Sequence, residues 1–354
     1  MSVEGFEHAG MKLALVGHSG GSHLGGSFAQ AAAELGNGVV FFDMAEAFRG
    51  PRFATALSWR LAGRRPLRLR RFSASTVERC SRESPEILIA LGAALGPSAV
   101  RKLKALGIPC IAFCSDDPWN KAVSGKWHMA TLPEYDAIFT PRRSNIADFR
   151  KLGCRNVHYL PFGFDDRLFY PPAERQEAED WDVLFAGGAD RDRVAFMAEF
   201  LRCGARTALA GVYWDGFPET RAHSVGIRTP EELNAMTATS KLNLCLVRRA
   251  NRDGHVMRSF EIAAAGGCML AEDTDEHREI FGPDGEAVVY FRTAAEAAKR
   301  SLWLLSNPAE RSRLSAAIRT KVGTPKNTYR ARLLTMLDRM GVQVRPLDYG
   351  AVAQ

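Results

Sequence analysis

Within nine positions of one loop and helix start, Asp253, His255, Arg258 and Glu261 gather the groups a polar, anionic ligand would need. Arg258 to Ala265 (RSFEIAAA) reads as a helix carrying Glu261 in its first turn. Gly266 and Gly267 end it with the residue type that tolerates a left-handed C-cap. Cys268, Met269 and Leu270 then form a short buried strand, and Glu272, Asp273 and Thr274 leave its carboxyl end. Ligands of open α/β sheets gather at that edge. The helix N-terminus and Arg258 suit an anion, and the Glu261 carboxylate suits the hydroxyls of a sugar. His255, between Asp253 and Arg258, is a candidate acid or base; His18 and His128 are others, each equally readable as a structural polar group.

Three further clusters carry the same kind of chemistry. Gly187 and Gly188 follow the apolar run VLFA and precede Arg191 and Arg193, so backbone N–H groups and guanidinium groups can approach a diphosphate; a plain strand-turn-helix joint is the alternative. Arg248 and Arg249 close another strand end. The loop Gly17 to Gly26 (GHSGGSHLGG) holds His18, Ser19, Gly20, Ser22 and His23, and its glycines let the backbone approach a ligand. Its spacing is not GxGxxG, so a dinucleotide site, and with it an NAD-dependent oxidoreductase, loses force although Asp43 ends the next strand. Asp116 or Asp117 could act as base toward an acceptor hydroxyl or position it, with Trp119 stacking on a sugar ring. The same SDDPW run also reads as a turn and helix cap. A carboxylate pair alone is too little for octahedral Mg²⁺, and no metal is expected.

The elements that must position these groups alternate along the chain. Apolar runs at Lys12 to Val16, Val39 to Asp43, Ile87 to Leu91, Cys110 to Cys114, Ala137 to Thr140 and Val157 to Leu160 are separated by helix-like stretches such as Ser27 to Leu35, Ser98 to Leu106 and Arg143 to Leu152. Alternation of this kind predicts a parallel, doubly wound sheet. A second set follows at Val183 to Ala186, Thr207 to Ala210, Leu242 to Leu246, Cys268 to Ala271 and Val288 to Phe291. Helices are then expected at Ala294 to Asn307, Ala309 to Val322 and Tyr329 to Met340. The predicted boundary lies in Phe169 to Asp180, where Pro171 and Pro172 break regular structure. This divides the chain into residues 1–170, 171–325 and a closing helix and tail, 326–354.

Composition bounds the answer. At 354 residues, 46% hydrophobic and 25% charged, the chain has material for two ordinary globular cores. It has no apolar run of the roughly 18 residues a membrane span needs. The first residues lack a basic region followed by an apolar stretch, so no secretory signal is expected and the cytoplasm is the expected compartment. Seven cysteines without a CxxC pair read as reduced thiols. The net charge of +7 concentrates in Arg60 to Arg71 (RLAGRRPLRLRR). This is a solvated face, a patch for an anionic membrane or a phosphorylated acceptor, or a nucleic-acid surface; nucleic acid is the weakest, since aromatics are not interleaved.

R-S-F-E-x-A-A-x-G followed by an acidic pair and E-H-x-E-x-F-x-P-x-x-E resembles the C-terminal domain of group 1 glycosyltransferases, family 4-like, in particular the spore-maturation (CgeB-like) branch of the GT-B superfamily. DVLFAGGADRDRV (Asp182 to Val194), LPFGFDDRLFYP (Leu160 to Pro171), SDDPW (Ser115 to Trp119) and NTYRARLLTML (Asn327 to Leu337) are similar to other segments of that branch and occur in its order. The resemblance implies a GT-B fold: two Rossmann-like domains facing a cleft, an N-terminal acceptor domain, a C-terminal donor domain, and a last helix returning to the first. It also implies transfer of a hexose-type sugar from a nucleotide diphosphate sugar to a hydroxyl acceptor, without a metal or other cofactor, in polysaccharide or glycoconjugate biosynthesis. Asp253 and Glu261 match the spacing of that fold's E-x7-E motif, with Asp for the first Glu, which favours retention. Glu261 would take the ribose, Gly187, Gly188, Arg191, Arg193 and Arg248 the phosphates, and Arg258 the leaving group, with Asp117, Asp253 and His255 nearest the chemistry. His18, Ser19, Gly20, Asp116 and Trp119 would meet the acceptor. A noncatalytic sugar- or nucleotide-binding protein and a nucleotide-sugar epimerase of the same fold are the alternatives.

Overall fold

The computed structural model describes residues 10–20, 24–122, 125–172 and 181–342. Ser22 and His23 of the glycine-rich loop, residues 173–180 of the expected linker, the first nine residues and the tail beyond 342 lie outside the described residues. The chain divides into two compact units, one taking it up to Pro161 and again from Arg332, the other Phe162–Ala331.

The first unit is built on six parallel strands: β1 (Lys12–Gly17), β2 (Gly38–Asp43), β3 (Ile87–Leu91), β4 (Cys110–Phe113), β5 (Ala137–Thr140) and β6 (Val157–Tyr159). Their order is β2-β1-β3-β4-β5-β6. A parallel sheet covered on both faces needs apolar residues on both, which is why ILIAL in β3 and CIAF in β4 are buried at every position. The chain runs from β1 outward to β2 and then returns to the other side of β1 for β3. The switch point between β1 and β3 therefore lies at Gly17, where the glycine-rich loop begins.

The second unit repeats the plan with β7 (Val183–Ala186), β8 (Thr207–Ala210), β9 (Ser224–Gly226), β10 (Leu242–Cys245), β11 (Met269–Glu272) and β12 (Val289–Phe291), ordered β12-β11-β10-β7-β8-β9 and parallel throughout. Its switch point falls between β7 and β10. The boundary comes earlier than the expected residue 170, because the segment after Pro161 is tied into this unit. The Phe162 amide bonds to His255, Phe164 bridges to Thr328, and the Tyr170 amide bonds to Asn234. The same bridge keeps the chain in this unit until Ala331, within the closing helix Tyr329–Arg339. Among the described residues no helix is long and apolar enough to cross a membrane.

Candidate functional site

At the end of β7 the backbone turns through Gly187, Gly188 and Ala189. The first and third of these amides donate to the Ala210 and Val212 carbonyls, on the β8 side. The Gly188 amide between them donates to no described residue, and the ladder of β7 with β10 has already ended at the pair Leu244 and Phe185. Packing around the two glycines is also close. A Cβ on Gly188 would lie 2.9 Å from a Val212 methyl, and one on Gly187 would lie 3.1 Å from the Phe185 ring.

Arg193 bridges the gap between the two strand ends. It donates from Nη1 to the Gly188 carbonyl (3.1 Å) and from Nη2 to that of Leu246 (3.4 Å), over the Phe185 ring. Its position follows from Asp190, which caps the helix Arg191–Phe200 by accepting from the Arg193 amide at 3.0 Å. Burial and the neighbouring Arg248 lower the Arg193 pKa, while Asp190 and Asp253 oppose them. Arg248, from the β10 end, lies 3.8 Å from Asp190. The switch point thus brings together Gly188, Arg193, Arg248 and Asp253, with Asp190, which sequence reasoning passed over although its place before a helix marks it as a cap. Arg191 sits exposed on the first turn of its helix.

Glu261 and Arg258 lie on the helix Met257–Ala265. Arg258 Nη1 is 2.8 Å from Glu261 Oε2, the separation of an ion pair, yet the groups are not aligned for a hydrogen bond. Arg258 Nε and Nη1 and Glu261 Oε2 are buried with no hydrogen-bond partner among the described residues. Burial raises the Glu261 pKa, Arg258 pulls it down, and Asp165 adds to the rise. Arg258 also lies over the Phe169 ring, its guanidinium carbon 5.5 Å from the ring centre. A carboxylate and a guanidinium held together but unsaturated are suited to complete their bonding with the hydroxyls and anionic oxygens of a ligand. The Cys245 thiol at the end of β10 is pushed up to about 11 by burial and feels both Arg258 and Arg193, which ties this pair to the switch-point arginines.

His255 is placed differently from its expected role. It is wholly buried, its Nε2 accepts from the Phe162 amide (3.2 Å), and its Nδ1 lies 2.6 Å from Glu276 Oε2. An accepting Nε2 puts the proton on Nδ1, which donates to Glu276, so both nitrogens are engaged in holding the loop. Asp117 is likewise buried. Its Oδ1 accepts from the Trp119 amide and from Asn145 Nδ2, both at 3.0 Å, the turn-and-cap reading of SDDPW. Trp119 packs edge-on to Phe149 within the first core, and Asp116 beside it is exposed. Arg142, buried and donating to the Cys114 and Ser115 carbonyls, is the group at this strand end that the sequence did not single out.

At the switch point of the first unit, Ser19 Oγ donates to Asp43 Oδ2 at 2.5 Å and His18 Nδ1 lies 4.0 Å from the same carboxylate. Burial works to raise the Asp43 pKa but is outweighed by the Ser19 and Ala45 hydrogen bonds and the His18 and Arg49 charges, so the group is lowered. Among the described residues, none lies within 4 Å of where a Cβ on Gly20 would sit.

Ser259 and His277 form a second buried set that sequence reasoning missed as chemistry, although Glu276 and His277 lie in the first turn after the cap residue Thr274. His277 Nδ1 is 2.8 Å from the Glu272 carbonyl, which can only accept, so Nδ1 carries the proton and Nε2 accepts from Ser259 Oγ at 2.9 Å. The arrangement has the residues of a nucleophilic dyad, but both are completely buried, and its work is to fix the helix start. Burial pushes the His277 pKa from 6.5 down to about 4. The unfolded chain takes up this proton first, so the stability held above the ordinary value is lost as pH falls toward 4. By about pH 5 the loss is about 2 kcal/mol, and the melting temperature falls between about pH 7 and pH 5, less so in His277→Gln.

A cavity of about 340 Å³ opens at the ends of β7, β10 and β11 and is lined by Asp190, Arg193, Arg249, Glu272 and Arg292 among others. Glu261 and Arg258 are not in its wall, and its carboxylates offset its arginines, so it lacks the excess positive charge a diphosphate requires. Among the described residues no group of three His, Cys, Asp or Glu side chains converges as metal ligands.

Residues 191–338 match a family profile described as glycosyl transferase-like. No curated protein sequence matches the chain. Among solved structures, it is similar to sucrose-phosphate synthase from Thermosynechococcus elongatus (TM-score 0.66, 14% identity, 94% of this chain and 98% of that one). It is similar to Anabaena HepE in complex with UDP and glucose (0.62, 11%, 94% and 100%). It is also similar to a Listeria monocytogenes protein described as a UDP-N-acetylglucosamine 2-epimerase (0.60, 14%, 97% and 100%). The two six-stranded parallel sheets are those of the GT-B fold.

Proposed function

We propose that this chain, whose residues 191–338 match a glycosyl transferase-like family and whose two sheets have the GT-B fold, is a glycosyltransferase moving a sugar from a nucleotide diphosphate donor to a hydroxyl acceptor. The observation that carries the donor site is the buried, unsaturated pair of Arg258 and Glu261, within electrostatic reach of the β7/β10 switch point. HepE, a fold relative, is seen with UDP and glucose, which supports a uridine nucleotide as the first donor to test.

In this reading Glu261 accepts hydrogen bonds from the ribose hydroxyls. The Gly188 amide and Arg248 take the diphosphate, and Arg193 holds the two strand ends at the spacing the phosphates need. Arg258 stabilises charge on the leaving phosphate as the glycosidic bond breaks, an electrostatic contribution strengthened by its burial. Helix N-terminus and arginines supply this compensation without a metal. Asp253, eight residues before Glu261, is assigned to the sugar side, which favours retention. The acceptor hydroxyl is assigned to His18, Ser19 and Gly20 at the first switch point, with Asp116 exposed at the end of β4. Asp117, Trp119 and His255 are supporting groups, and Arg191 is left outside the donor set.

A thermal-shift comparison of UDP, GDP, ADP, CMP and dTDP, with and without Mg²⁺, tests the donor site. At about 100 times the dissociation constant one nucleotide is expected to add about 2.7 kcal/mol, equally with and without the metal. No shift with any of them, in folded protein, refutes the assignment. The Listeria relative supports a second reading as an epimerase, which would consume a nucleotide sugar with no acceptor present.

A further inference from the structure

We propose that the helix Arg52–Leu61, with the arginines flanking it, docks on an anionic lipid bilayer. The sequence marked a basic run; the structure adds an apolar stripe beside it. Phe53, Leu57 and Leu61 recur every four residues, so they share one face of the helix. They are 78%, 45% and 77% exposed, and the helix buries no residue completely. It is attached on its other side, where Trp59 packs against Phe48 (6.2 Å between ring centres) and Ser58 Oγ donates to the Arg65 carbonyl at 2.9 Å. Leu67, 40% exposed in the turn that follows, extends the apolar surface. A helix that leaves its apolar face in water gains nothing from it within its own unit, so the face points to an external partner.

Charge selects the partner. Between Arg49 and Arg71 there are eight arginines, and no acidic residue occurs between Glu46 and Glu78. The whole chain carries +7, so the rest of it is close to neutral and the excess sits in this segment. None of these arginines forms an ion pair with a described residue. Two copies of the chain meeting through this face would bring like charges together, which disfavours self-association. Nucleic acid would draw on the arginines but leave an aliphatic stripe without bases to stack. A bilayer with anionic headgroups uses both: guanidinium groups lie among the phosphates while Phe53, Leu57 and Leu61 enter the headgroup and acyl boundary. This inference does not depend on the donor reading.

The test is co-sedimentation of the full chain with vesicles of phosphatidylcholine alone and of phosphatidylcholine with phosphatidylglycerol, at low and high salt. The wild-type chain is expected to pellet with the anionic vesicles, roughly tenfold more than with the neutral ones, and less at high salt. Phe53→Ser/Leu57→Ser/Leu61→Ser and, separately, Arg60→Glu/Arg68→Glu are each expected to lower binding roughly tenfold. Both should keep the nucleotide thermal shift and melting temperature of the parent. Absence of pelleting with anionic vesicles overturns the proposal, as does pelleting that the serine variant leaves unchanged. A dimer in analytical ultracentrifugation that the serine variant dissolves, without vesicle binding, assigns the face to a second copy. Retention on single-stranded oligonucleotide indifferent to the serines assigns it to nucleic acid.

Discussion

Glu261→Ala is expected to weaken nucleotide-sugar binding by about a hundredfold or more, since two hydrogen bonds from hydroxyls to a buried carboxylate contribute about 1.5 to 3 kcal/mol each. Equilibrium titration of the nucleotide identified by thermal shift measures it. The same substitution strands Arg258, only partly exposed beside Phe169, without its counter-charge. Removing one partner of a buried pair costs about 3 kcal/mol of stability. Lost binding could therefore be mistaken for lost folding. Arg258→Met/Glu261→Leu separates the two: it removes both charges, so stability should return to within about 1 kcal/mol of the parent, while nucleotide binding stays at least as weak as in Glu261→Ala. Nucleotide binding of parental affinity in this double variant would refute the donor-site assignment. Binding should also weaken as pH falls toward the Glu261 pKa, which burial raises, because the ligand's hydroxyls need the carboxylate form.

How far such a site can be read ahead of the structure depends on how local its causes are. Strands such as ILIAL and VLFA are legible because a parallel sheet buries both faces, leaving continuous apolar runs. Ser224–Gly226 leaves none: it is a three-residue edge strand, half-buried throughout, and the sequence reading passed over it. The basic run Arg60 to Arg71 was legible, but it meets the helix Arg52–Leu61 only at its last two residues, and the exposed face of Phe53, Leu57 and Leu61 was passed over. Among the candidate residues, the charged groups at strand ends could be named because the strand ends themselves were legible. What the sequence could not tell was which would be consumed by partners distant in the chain. Asp117 meets Asn145, 28 residues on, and His255 meets the Phe162 amide, 93 residues away. An acid/base residue type in a loop looks the same whether its polar atoms face a ligand or the backbone of another segment.

That distinction gives His255→Ala its value. Three contacts pin the loop that carries Asp253 to the helix Asp275–Phe281 and to the start of Met257–Ala265. Thr274 Oγ1 donates to the Gly254 carbonyl, His255 bonds to Glu276, and the Val256 amide donates to Ser259 Oγ, itself held by His277. Packing leaves no slack, since a Cβ on Gly254 would lie 2.6 Å from the Glu276 carboxyl carbon. Truncating His255 removes a ring packed between Phe162 and Phe260 and strands both the Glu276 carboxylate and the Phe162 N–H. The expected cost is about 3 to 5 kcal/mol. For a unit of this size that corresponds to roughly a 10 °C fall in melting temperature. His255→Asn keeps an N–H near the Nδ1 position and should recover part of the loss by restoring donation to Glu276, although not the acceptor for Phe162. A catalytic acid or base would give the opposite pattern: kcat would collapse, melting temperature would hold, and the asparagine would rescue nothing. With a positioning role, the donor KM rises as the loop bearing Asp253 loosens, and the pH profile of the remaining activity keeps its shape.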